Sequence, residues 1–111
     1  MMRIDELVEA ISALQRADLD GWIQEELVLP QQEAGSFLFT DKDCARVRLI
    51  CTLHYELEID VETLPVVLSL VDQLYDTRQR LQSLGAAVAA QDHSIQAAIL
   101  AAMKSEQPAN P

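Results

Sequence analysis

The sequence predicts a mainly α protein: two short helices, a small β-hairpin wing, a third helix and a long C-terminal helix. Three observations carry that reading. Half of the 111 residues are hydrophobic, and the apolar mass comes from Leu, Val, Ile and Ala, with aromatics at only 5%. Leu and Ala enter helices at little entropic cost. Glycine and proline are scarce, at three and four residues, whereas a β-rich chain needs more turn formers and aromatics. Finally, apolar residues recur at helical spacing over most of the chain.

Taken in order, Ile4, Leu7, Val8, Ile11 and Leu14 predict a first amphipathic helix over 3–16. Asp18 can cap a second helix over 19–28 with Leu19, Trp22, Ile23 and Leu27 on its apolar face, and Pro30 stops it. A polar stretch containing Gly35, followed by Phe37-Leu38-Phe39, predicts a hairpin spanning 28–39. Thr40 or Asp41 caps a third helix, and Asp43 falls in its first turn, where the helix dipole favours acids. Ala45, Val47, Leu49, Ile50, Leu53 and Leu57 carry that helix to residue 57. Asp60 caps the fourth helix, and Pro65 sits just inside it, where a missing N–H matters least. The expected organisation is a domain over 1–60, a long helix over 61–103 and a disordered tail over 104–111, KSEQPANP. This order matches a winged helix-turn-helix with a C-terminal coiled coil.

The fourth helix carries a heptad seam. Val67, Val71, Leu74, Arg78, Leu81, Gly85, Val88, Asp92, Ile95 and Ile99 follow alternating steps of four and three. A continuous helix to residue 103 would span ~60 Å, against a radius of gyration of ~13 Å for a domain of this size. An exposed seam of that length predicts a homodimer. An antiparallel pairing centred near Gly85 would set Arg78 of one chain beside Asp92 of the other. The alternative is a break near Gly85, with residues 86–103 folding back within one chain.

Charge narrows the function. Eighteen acidic residues face eight basic ones, for a net charge of −10 and a pI near 4.4. Nucleic-acid binding draws its affinity from Lys and Arg on phosphates, so this balance opposes it. Residues 1–40 hold eight acids and two bases (Arg3 and Arg16), a balance of −6. The recognition-helix position reads DLDGWIQEELVL, with Asp18, Asp20, Glu25 and Glu26 and no base. Those carboxylates would repel phosphates. They suit a basic protein surface and are the expected partner-binding residues. No apolar run approaches the ~20 residues of a membrane span. The N-terminus MMRIDELVEA carries acids where a signal peptide carries an apolar stretch. A cytoplasmic protein is expected, with Cys44 and Cys51 as reduced thiols.

No constellation of residues suggests chemistry. Cys44, Cys51 and His54 share one helix but lack the convergent spacing of a metal site. Asp41 and Asp43 are explained as capping residues, and neither a nucleophile-base arrangement nor a Gly-rich phosphate loop occurs. Arg46 and Arg48 are expected to pair with nearby acids or with the second helix, and Arg78 and Arg80 to lie on a solvated face. A non-enzyme is expected, without cofactor, metal or small-molecule substrate.

From Trp22 to Leu84, and most clearly in FLFTDKDCARVRLICTLHYELEID followed by LPVVLSLVDQL, the chain resembles the CbpM-like chaperone modulators. These are small relatives of the MerR winged-helix group. The resemblance rests on Phe37 and Phe39 beside an acidic helix start at Asp41, on Glu56-Leu57 ending the third helix before Asp60, and on Leu68, Leu70 and Asp72 early in the last helix. It implies a MerR-like winged helix-turn-helix that binds the J-domain of a CbpA-type, DnaJ-like co-chaperone and restrains its work with Hsp70. The Ala-rich run over 86–103 and the long first helix depart from the family pattern. The runner-up reading is a MerR-type transcriptional regulator that binds DNA as a dimer. It has only Lys42, Arg46 and Arg48 as bases in residues 18–48.

Overall fold

The computed structural model describes residues 1–106. The protein is mainly helical with a small three-stranded antiparallel sheet. The elements run β1 (Met2–Arg3), α1 (Ile4–Ala10), α2 (Arg16–Gln24), β2 (Gln31–Glu33), β3 (Ser36–Phe39), α3 (Asp41–Cys51), a π-helical turn (Thr52–Glu56), α4 (Leu64–Ala89) and α5 (His93–Glu106). The chain divides into two compact units, Met1–Leu70 and Val71–Pro111. Among the described residues, no helix is long and apolar enough to cross a membrane.

In the first unit, the helix expected over 3–16 is two elements. Residues 2 and 3 pair with β3 as Met2↔Phe39 and Arg3↔Leu38. The helix that follows ends at Ala10, and a turn closed by the Leu14 N–H on the Ile11 carbonyl (3.0 Å) leads into α2. Ile11 and Leu14 stay buried through this turn, so the apolar spacing persists where the helix does not. α2 then starts earlier than expected: Gln15 is its N-cap, and Asp18 lies in its first turn. It also ends earlier, before Pro30 is reached. Glu26 adopts φ 61°, the Leu27 N–H reaches the Trp22 carbonyl (2.9 Å), and the Glu26 N–H reaches that of Ile23 (3.1 Å). This is a Schellman closure with glutamate at the left-handed position that usually holds glycine.

The sheet order is β1-β3-β2, with Gln31↔Leu38, Gln32↔Phe37 and Glu33↔Ser36 in register. Ala34 (φ 52°) and Gly35 (φ 79°) form the turn, and left-handed φ at both central positions defines a type I′ hairpin.

Thr40 begins α3 through a reciprocal capping box. Its Oγ1 accepts from the Asp43 N–H (3.1 Å), and Asp43 Oδ2 accepts from the Thr40 N–H (3.0 Å). The α-register stops at Cys51. The π-turn, closed by the Leu57 N–H on the Thr52 carbonyl (3.0 Å), inserts an extra residue and rotates Leu57 into solvent, away from the expected core face. Asp60 Oδ1 then accepts from the Thr63 N–H (2.7 Å), and hydrogen bonding from the Thr63 side chain, followed by that from its backbone, lowers the Asp60 carboxyl from its ordinary value. α4 follows with Pro65 in its first turn.

Fourteen residues from Leu7 to Leu68 form one buried cluster, and no polar or charged side chain is buried among the described residues. Phe39, Leu7, Leu19, Ile50, Leu64 and Leu68 are its largest fully enclosed members.

In the second unit, the expected single helix is interrupted, and not at Gly85. α4 ends at Ala89 and α5 begins at His93. The break has a local cause. The Gln91 N–H turns to the Val88 carbonyl (3.0 Å), and the Ile95 N–H takes the Asp92 carbonyl (3.1 Å). Gln96 Nε2 donates to the Gln91 carbonyl (2.7 Å), supplying a partner to backbone freed at the junction. Asp92, a poor helix-interior residue, stands between the two helices. Residues 104–106 of the expected tail continue α5, and 107–111 lie outside the described residues.

The type I′ turn gives a first prediction. Ala34→Asn supplies a residue that tolerates left-handed φ, so it raises stability by about 1 kcal/mol. Urea denaturation checks it: a higher midpoint at unchanged slope is expected, and an unchanged or lower midpoint rejects the turn.

Candidate functional site

α2 carries Asp18 and Asp20, with Glu25 and Glu26 following at its C-terminus, and three devices fix it in place. Leu19 and Trp22 bury its inner face. Arg46 Nε donates to the Leu27 carbonyl (2.6 Å), tying α3 to the chain just beyond α2. The π-turn then presents Tyr55, whose OH donates to Asp18 Oδ2 (2.5 Å) and accepts from the Gln15 N–H (3.2 Å). An aromatic group surrounds that bracket: the Trp22 ring lies 6.2 Å from His54 and 6.1 Å from Tyr55. His54 Nδ1 donates to the Ile59 carbonyl (2.8 Å), which fixes its tautomer.

The four expected contact residues have different surroundings. Asp18 is half-buried and held by Tyr55. Asp20 is exposed and pairs with Arg16 (3.4 Å), which also holds Asp5 (2.8 Å). Such exposed pairs contribute ~0.2–1 kcal/mol. Glu25 and Glu26 lie at and just beyond the C-terminus of α2, both exposed and neither in an ion pair. Two local rules are broken there. Carboxylates at a helix C-terminus oppose its dipole by ~0.3–1 kcal/mol. A non-glycine residue at left-handed φ adds ~1–2 kcal/mol. Violations of that kind concentrate at functional sites. Beside them, Ala17, Asp18, Gly21, Trp22, Gln24, Glu25 and Val61 line a shallow hollow of about 180 Å³.

The seam residues are divided by the break. Val67, Val71, Leu74, Arg78, Leu81 and Val88 lie on α4, Ile95 and Ile99 on α5, and Asp92 on neither. Arg78 and Asp92 therefore do not lie on one unbroken helix, as the antiparallel pairing expected. Within residues 71–105 no side chain is buried, and Leu74 and Leu81 are 60% and 67% exposed. α5 does not cover this face of α4.

Cys44 is half-buried and Cys51 buried; both are free, and burial pushes both thiols up. Sequence reasoning missed Tyr55 and Arg16. Tyr55 lies 37 residues from Asp18 on a turn of non-α register, so no spacing rule reveals it. Arg16 was legible as an i, i+4 partner of Asp20.

No family model matches the chain, and no curated protein or solved structure matches it.

The Tyr55 bracket gives a second prediction. Burial, and then the hydrogen bond to Asp18, push the phenol up from 10.0 to about 12. A raised folded pKa means that the stabilisation is complete below pH 10 and is lost as pH rises through about 12. Tyr55→Phe removes that alkaline loss and lowers stability at neutral pH by about 1–2 kcal/mol. Denaturation midpoints of both proteins from neutral to strongly alkaline pH check it. Parallel alkaline profiles would reject the bracket.

Proposed function

We propose that this protein is a CbpM-like chaperone modulator, a cytoplasmic non-enzyme that binds the J-domain of a CbpA-type, DnaJ-like co-chaperone and inhibits its action with Hsp70. In this reading residues 1–60 are a MerR-like winged helix-turn-helix: α1 and α2 are the helix-turn-helix pair, and β2 and β3 are the wing. One observation carries the reading. The second helix runs out into Glu25 and Glu26, both exposed, in no ion pair and opposed to the helix dipole, and Glu26 also stands at left-handed φ. Asp18 and Asp20 precede them, and the only base on α2, Arg16, is already engaged by Asp5 and Asp20. A helix so equipped repels phosphates and suits the basic second helix that J-domains carry.

The mechanism is steric and electrostatic. The carboxylates steer the basic J-domain helix onto α2, and the bound protein covers the surface that Hsp70 needs. Charge reversal at both Glu25→Lys and Glu26→Lys weakens binding to the cognate J-domain on the order of tenfold, about 1.4 kcal/mol. Both residues are exposed, so folding is preserved. Titration calorimetry at low and moderate salt measures this. No binding of the unaltered protein at either salt sinks the reading; equal binding by both proteins sinks the assignment of the contact.

Assembly belongs to the same proposal. Two copies pair through Val67, Val71, Leu74, Leu81 and Val88 of α4; Val67 packs partly on the core, and within residues 71–105 no side chain is buried. The double variant Leu74→Asp, Leu81→Asp is therefore monomeric. Sedimentation equilibrium at micromolar concentration decides: a dimer mass for the unaltered protein is expected, and a monomer mass rejects the pairing.

A further inference from the structure

Arg3 and Arg16 are the only two bases among the first forty residues, and the fold brings them to one place. They line a hollow of about 380 Å³ together with Ile4, Asp5, Gly35, Ser36 and Phe37. The lining carries two guanidiniums and one carboxylate, and outside it the carboxylates of Asp20 and Glu6 meet Arg16 Nε (3.4 Å) and the Arg3 N–H (3.2 Å).

The two arginines are differently prepared. Arg16 is fixed by Asp5 Oδ1 on Nη1 (2.8 Å) and Asp20 Oδ1 on Nε (3.4 Å). Those bonds leave further N–H donors of its fork unused. Arg3 is exposed and makes no ion pair among the described residues. β1 holds its backbone against Leu38, so its starting point is rigid. Ile4 and Phe37 are half-buried and supply an apolar wall packed on the core. At Gly35 nothing lies within 4 Å of where a Cβ would stand, so the approach from the hairpin turn is open.

We propose that this hollow binds one carboxylate on an apolar stem, as presented by a glutamate side chain of a partner protein. A guanidinium fork matches a carboxylate in geometry and charge. The stem lies on Ile4 and Phe37, and Asp5 on the same lining discriminates against dianions and polyanions. This site does not rest on the J-domain reading, since it recognises the opposite charge from the one α2 attracts.

The test uses the full chain and amide chemical shifts. The probes are acetyl-Leu-Glu-amide, its Gln counterpart and inorganic phosphate. The Glu probe shifts the amides of residues 3–5, 16 and 35–37 saturably in the millimolar range, while the Gln probe and phosphate do not. Arg3→Gln, at an exposed position, weakens the Glu probe about tenfold and leaves amide positions elsewhere unchanged. Absence of saturable shifts, equal response to the Gln probe or phosphate, or unchanged affinity in Arg3→Gln would overturn the site.

Discussion

Among the described residues burial ends at Leu68, and that limit separates the elements that share one core from those that do not. Every buried side chain among the described residues lies between Leu7 and Leu68, drawn from both short helices, the sheet, α3, the π-turn and the first turns of α4. Burying a Leu, Ile or Phe side chain contributes roughly 1.5–3 kcal/mol, so one shared cluster of fourteen residues can fix many short elements that would not persist alone. Residues 71–106 add Leu74, Leu81, Leu84, Ile95, Leu100 and Met103, all exposed. Helices of this length in water are marginal without a buried face. A second copy supplying that face is the assembly we propose.

The same core decides how the acidic helix is displayed. Trp22 and Leu19 anchor its inner side, Arg46 ties down its end, and the Tyr55–Asp18 bond fixes its start. A helix held at both ends and along one face can carry unfavourable residues at its C-terminus, because the surrounding structure overrules them. Glu25 and Glu26 are those residues. The π-turn belongs to this arrangement. Its extra residue puts His54 and Tyr55 against Trp22 and turns Leu57 outward.

Elements governed by local side-chain chemistry were legible in the sequence. Thr40 and Asp43 announce the start of α3, Gly35 the hairpin turn and Asp60 the approach to α4, because each rests on hydrogen bonds within a few residues. Where long-range packing overrode local pattern, the sequence misled. Ile11 and Leu14 keep helical spacing through a turn, because the core needs them there whatever the backbone does. β1 exists only because Phe39 and Leu38 wait 37 and 35 residues away. The heptad seam ran through Ala90–Asp92, since periodicity does not register the preference of Asp92 for a helix start. Of the candidate contacts, charge identified Glu25 and Glu26 as exposed acids, but it could not reveal that Arg16 and Tyr55 engage Asp20 and Asp18.

We propose that residues 71–106 owe their order to a second copy of the chain, while the cluster from Leu7 to Leu68 stands by itself. Amide hydrogen exchange, followed region by region at high and at low protein concentration, tests it most directly. Slow exchange across α4 beyond Leu70 is predicted at high concentration and is lost on dilution, while the amides of the core helices keep their protection. Exchange over 71–106 that is the same at both concentrations, whether slow or fast, would rule out a second copy as the source of that order.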